Sequence, residues 1–126
     1  MVSESVSGVL RLSTHSGCSI SNSDNFFSGR DRELYFPSYY FFADRRLIKH
    51  KIKTVHVKDL HSCEVLCYQH DNCVSLNIKK DPDSATGQQQ CELNNSTHME
   101  HDEDLTVDNA CLYRGAKVIT FKNLIV

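Results

Sequence analysis

A chain of 126 residues has room for one domain and a tail, and its 40% hydrophobic and 24% charged residues make it globular rather than disordered. Fourteen Lys and Arg against sixteen Asp and Glu, a net charge of -2, exclude a chain built as a whole to grip nucleic acid. Six cysteines, with the overlapping triplets Asn94-Asn95-Ser96 and Asn95-Ser96-Thr97, point to a secreted or cell-surface setting in which Asn94 and Asn95 are candidate N-glycosylation sites.

The opening run MVSESVSGVLRLSTHSGCS lacks the basic and apolar regions of a signal peptide. No stretch approaches the ~18 apolar residues of a membrane span. An exported chain of this kind is expected to be a fragment of a longer protein or to carry a mis-assigned start. Residues 1–33, rich in Ser, Gly and Asn and holding Cys18, read as a poorly ordered arm. Leu34 to Phe42 (LYFPSYYFF) has high β propensity, with Pro37 suited to an edge or a strand start, and reads as core or a buried interface. Leu47 to Val57 alternates as one strand, with Ile48, His50 and Ile52 on one face and Lys49, Lys51 and Lys53 on the other.

Asp59 is a good N-cap, and Asp59 to His70 reads as a short helix. Leu60, Cys63, Leu66, Cys67 and His70 share its buried side; Glu64, Tyr68 and Gln69 are expected to look outward, with His70 capping the last carbonyls. Val74, Leu76 and Ile78 form the inward face of the next strand, DPDSATGQQQ is a loop broken by Pro82 and Gly87, and Cys91 and Leu93 start a further strand. After the acidic run of Glu100, Asp102, Glu103, Asp104 and Asp108, the segments Cys111 to Tyr113 and Val118 to Phe121 supply closing strands, leaving 122–126 as a tail. One helix against several short strands is an α+β pattern.

Three chemistries compete for these residues. A zinc site needs a second C-x2-4-C pair, which only Cys63 and Cys67 begin; disulfide staples fit better. A Cys67–His70 nucleophile needs an accessible, activated thiol, but these cysteines lie on the apolar helix face. No GxSxG, HExxH or P-loop signature occurs, so the chain reads as no enzyme. The acidic run lacks the residue order of an EF-hand and reads as a solvated loop.

The basic stripe is the candidate binding element. Arg45, Arg46, Lys49, Lys51, Lys53 and Lys58 form a run with no acidic residue among them, suited to sulfated glycans or an acidic protein surface. The competing reading is that the lysines guard an edge strand against other sheets.

An L-x-x-H strand at Leu47 to His50, the helix of HSCEVLCYQHDNC, then CVSLN and CELN together resemble the PAN/apple domain over about residues 40 to 115, within a domain spanning 34–121. The resemblance implies a small antiparallel sheet crossed by one helix. It also implies the disulfides Cys63–Cys91 and Cys67–Cys73. A third bridge, present in many members, would here have to join Cys18 to Cys111; the alternative is a free Cys18. The implied function is non-enzymatic binding or adhesion, with an extracellular protein or a sulfated glycan as partner, and with no cofactor, metal or nucleic acid. The competing functions are a structural spacer without a ligand and, less favoured, a reduced intracellular metal or redox domain.

Overall fold

The computed structural model of the chain describes residues 23–29 and 32–119. Its strands are β1 (Asn25–Phe27), β2 (Glu33–Phe36), β3 (Phe41–Leu47), β4 (Lys51–Val57), β5 (Ser75–Lys79), β6 (Gln89–Asn94), β7 (Leu105–Gly115) and β8 (Lys117–Ile119). The helix α1 (Leu60–Gln69) lies between β4 and β5 in sequence. Five strands form an antiparallel sheet in the order β3-β7-β5-β6-β4, and a smaller sheet runs β1-β2-β8.

The helix starts where Asp59 stands in extended backbone and its carboxylate accepts from the Ser62 N–H at 2.8 Å. Cys63 is bonded to Cys91 of β6, and Cys67 to Cys73 just before β5, the same pairs the resemblance implied. Leu76 and Ile78 of β5, Leu93 of β6 and Leu112 of β7 pack into one core with these cysteines and with Leu34 and Phe36 of β2. Each such side chain contributes roughly 1.5–3 kcal/mol by leaving water.

Two expectations about the helix are corrected. Glu64 and Tyr68 face inward rather than outward, because the small sheet covers the flank that a single helical wheel assigns to solvent. Phe27 of β1 stacks on Tyr68 with ring centroids 5.6 Å apart, and Asn25 Nδ2 donates to Glu64 Oε1 at 2.8 Å. Glu64 also pairs with Arg114 Nε of β7 at 3.0 Å. The second correction concerns the helix end. His70 gives its backbone N–H to the carbonyls of Leu66 and Cys67, while its ring accepts from the Asn72 N–H. The side chain that caps the carbonyls is Arg32, whose Nη2 donates to the oxygens of Cys67, Tyr68 and His70.

The predicted single strand from Leu47 to Val57 is two strands. The chain turns at residues 48–50, with Lys49 in left-handed backbone at φ 78°, and β4 goes to the opposite edge of the sheet from β3. Three residues can join opposite edges only if the sheet curls strongly. Asn77, in the central strand β5, holds that curl. Its side chain accepts from the Leu47 N–H and donates to the Leu47 carbonyl, both at 2.9 Å, replacing a missing ladder partner.

Other boundaries shift locally. Pro37 divides the aromatic block into β2, a 3-10 turn at Ser38–Tyr40 and β3. Residues 25–27, read as part of an unordered arm, form β1 against β2. Asp108, read as loop, lies within β7. Cys18, Thr120, Phe121 and the tail 122–126 lie outside the described residues.

Candidate binding surface

The six basic residues do not share one face. Arg45 and Arg46 belong to β3, at one edge, while Lys51 and Lys53 belong to β4, at the other. Lys49 sits in the connection between them and pairs with Asp104 at 3.5 Å. A bulge interrupts the β4–β6 register, so that Lys51 stands opposite Asn94 and Lys53 opposite Leu93. Neighbouring residues of β6 point to opposite faces, which sends the two lysines to opposite faces as well.

Several of these charges are already engaged. Arg46 makes two bonds to Glu92, at 2.9 and 2.8 Å, and Lys51 approaches the same carboxylate at 3.9 Å. Burial would raise the Glu92 carboxyl, but the bonds from Arg46 and Asn77 outweigh it and hold the group below its ordinary range. A cavity of about 430 Å³ lies beside this pair, lined also by Lys79, Asp108 and Cys111. Burial, reinforced by Asp108, pushes the Cys111 thiol up to about 11, so it is inert as a nucleophile at neutral pH. Among the described residues Cys111 has no disulfide partner.

What remains open is the junction of β4 with the helix. Lys53, His56 and Lys58 are exposed along this edge strand, and His61 is exposed on the first turn of α1. Between them runs a groove of about 400 Å³, floored by Val57, Val65 and Leu66 and rimmed by His56, Lys58 and His61. Ser62 and Gln88 complete its lining, and none of the lining residues is acidic. Of the carboxylates next to the lining in sequence, Asp59 is committed to the helix cap, and the buried Glu64 pairs with Arg114 and lies 3.9 Å from His61 Nδ1. The arrangement suits a ligand with anionic groups on an apolar body.

Sequence reasoning found Lys53 and Lys58 but missed His56, His61 and the apolar floor. The floor comes from the rim of the helix, where Val65 and Leu66 are only half-buried, and no periodic signal separates such residues from core.

The remaining candidates are dispersed. Asn94 is fully buried and donates to Ser75 Oγ at 3.1 Å, so of the two candidate glycosylation asparagines only Asn95 is exposed. Among the acidic residues, Glu100 accepts from Ser96 Oγ, Asp104 turns to His50, and Asp108 lies along β7, so no calcium cage forms from them. With Cys67 in a disulfide, no thiol among the described residues faces His70. Among the described residues no helix is long and apolar enough to cross a membrane.

No curated protein and no solved structure was found to match the chain. The sequence model of the PAN domain family matches residues 38–120, about two thirds of the chain, which takes in the helix and the whole five-stranded sheet. The chain belongs to the PAN domain family.

Proposed function

We propose that this module is a non-enzymatic binding domain of the cell surface or extracellular space, and that it takes an anionic partner along the β4 edge and the groove beside α1. The partner is an acidic protein segment or a sulfated glycan, two sources of the same negative charge. The observation that carries this reading is the basic rim of His56, Lys58 and His61 over an apolar floor with no acidic residue in the lining, beside the exposed Lys53 of β4. Membership of a family of protein- and carbohydrate-binding modules and the two disulfides support the same class and setting.

Heparin chromatography of the oxidised protein tests the surface. A Lys53→Ala/His56→Ala/Lys58→Ala chain is expected to elute at lower salt than the parent, whereas Lys49→Gln, whose ammonium is engaged by Asp104, elutes close to it. Titration with an acidic peptide in a second arm separates protein from glycan as the partner. Equal elution of the triple variant and the parent, with no peptide binding, removes the proposal and leaves the lysines as guards of an edge strand.

A further inference from the structure

The β3–β4 connection and the 3-10 turn at Asp102–Asp104 bring together three side chains that the β4 surface does not use. His50 Nε2 lies 2.9 Å from Asp104 Oδ2, and the His50 and His101 rings stack with centroids 4.2 Å apart. One ligand atom from each of His50, His101 and Asp104 falls within 4.8 Å of the others. Their backbones are fixed. The Ile48 N–H donates to the Asp104 carbonyl at 3.0 Å, the Asn95 N–H to His50 at 2.9 Å, and the Asp104 N–H to His101 at 3.0 Å.

Two neutral imidazoles and a carboxylate are a donor set for borderline divalent ions such as zinc. Metal–ligand distances of about 2.0–2.2 Å put the ligand atoms of a tetrahedral site roughly 3.4 Å apart. The His50–Asp104 pair is already that close, so His101 alone has to swing inward. It is the freest of the three, with a side chain 41% exposed against 17% for His50 and 9% for Asp104. His101 Nδ1 faces Glu103 Oε2 at 3.4 Å, the kind of carboxylate contact that orients a ligating imidazole and leaves its other nitrogen for the ion.

We propose that His50, His101 and Asp104 form a binding site for a zinc-class divalent cation. The ion would join the β3–β4 connection to the turn before β7 and keep a coordination position open to solvent on the His101 side. Lys49 is its competitor. Its ammonium lies 3.5 Å from Asp104 Oδ1 and is 69% exposed, so an arriving dication displaces it into water at little cost. The sequence hid this site because His50 stands 54 positions before Asp104, and the His101–Asp104 pair by itself matches no metal motif.

The test is titration of the chelator-treated, oxidised chain with zinc sulfate, read by calorimetry and by thermal melting. One ion per chain is expected, with the melting temperature rising about 5 °C when zinc exceeds its dissociation constant tenfold. His101→Ala, at a half-buried position on the rim of the turn, is expected to abolish both effects while keeping the parent's circular dichroism. Lys49→Gln is expected to bind zinc several-fold more tightly. Absence of zinc binding by the parent at roughly 100 µM overturns the site. So does equal binding by His101→Ala, which would assign the ion to exposed histidines such as His56 and His61. A Lys49→Gln chain that binds no tighter overturns the proposed competition.

Discussion

A Cβ placed on Gly115 would lie 2.9 Å from Tyr113 Oη and 3.0 Å from His98 Nδ1. Neither neighbour can step aside cheaply. The Tyr113 hydroxyl accepts from the His98 N–H and contacts His98 Nδ1, both at 2.9 Å, and the His98 ring is wedged edge-on between Tyr40 and Phe42. Gly115→Ala is therefore expected to destabilise the fold by about 1–3 kcal/mol, as an overpacked core does, with urea denaturation as the measurement. An unchanged midpoint would mean that the His98–Tyr113 contact is looser than its geometry implies. Glu92 gives a pH dependence. Its folded pKa lies below the ordinary value of 4.5, so its contribution is fully present above that pH and is lost as pH falls through the folded value. Glu92→Gln should cost on the order of 1 kcal/mol near neutrality, solvent reaching Arg46 at one side, and should flatten the acid limb of the stability curve. Parallel acid limbs for variant and parent would show that the Arg46–Glu92 pair carries no net stability.

At the scale of elements, the helix was legible and the strand connections were not. Asp59 as a cap and the Cys63, Leu66 and Cys67 spacing mark α1 to within its caps, because capping and helical periodicity are local. The turn at residues 48–50 was hidden because Ile48, His50 and Ile52 keep the two-residue rhythm through it, with no Gly, Pro or Asn to mark a reversal. Glu64 could not be placed from sequence, since its burial depends on β1, which comes from the segment with the weakest pattern. The helix is stapled rather than merely packed. Closing loops with sequence separations of 28 and 6 contributes about 3.6 and 2.4 kcal/mol by chain entropy, comparable with the ~5–15 kcal/mol net stability of a domain. Reductant is expected to abolish the cooperative thermal transition seen by circular dichroism. Coincident melts of oxidised and reduced protein would contradict a fold that depends on its staples.

At the scale of the molecule, the helix lies between two sheets, and Arg114 ties the layers together. Its guanidinium sits in the core, pairs with Glu64 of the helix and donates to the carbonyls of Phe36 and Ser23, with the Phe36 and Phe41 rings at 6.0 and 5.7 Å. Burial lowers its pKa, while Glu64 opposes the shift. The candidate surface was legible in part for a reason of the same scale. Composition along one segment identifies lysines, but their facing depends on a bulge, and their usefulness depends on which carboxylates the fold brings to them from β6 and from the turn before β7.

The reach of Arg32 and Arg114 also bears on where the module can be cut. The matched span begins at residue 38, after β1, β2 and Arg32. A piece trimmed to that span would leave β8 without the strand it pairs with and strip the helix carbonyls of the Arg32 guanidinium. It would also open the space that Leu34 and Phe36 fill and leave Arg114 in the core without the Phe36 carbonyl. The transplantable unit therefore begins no later than Ser23, fifteen residues before the recognisable one.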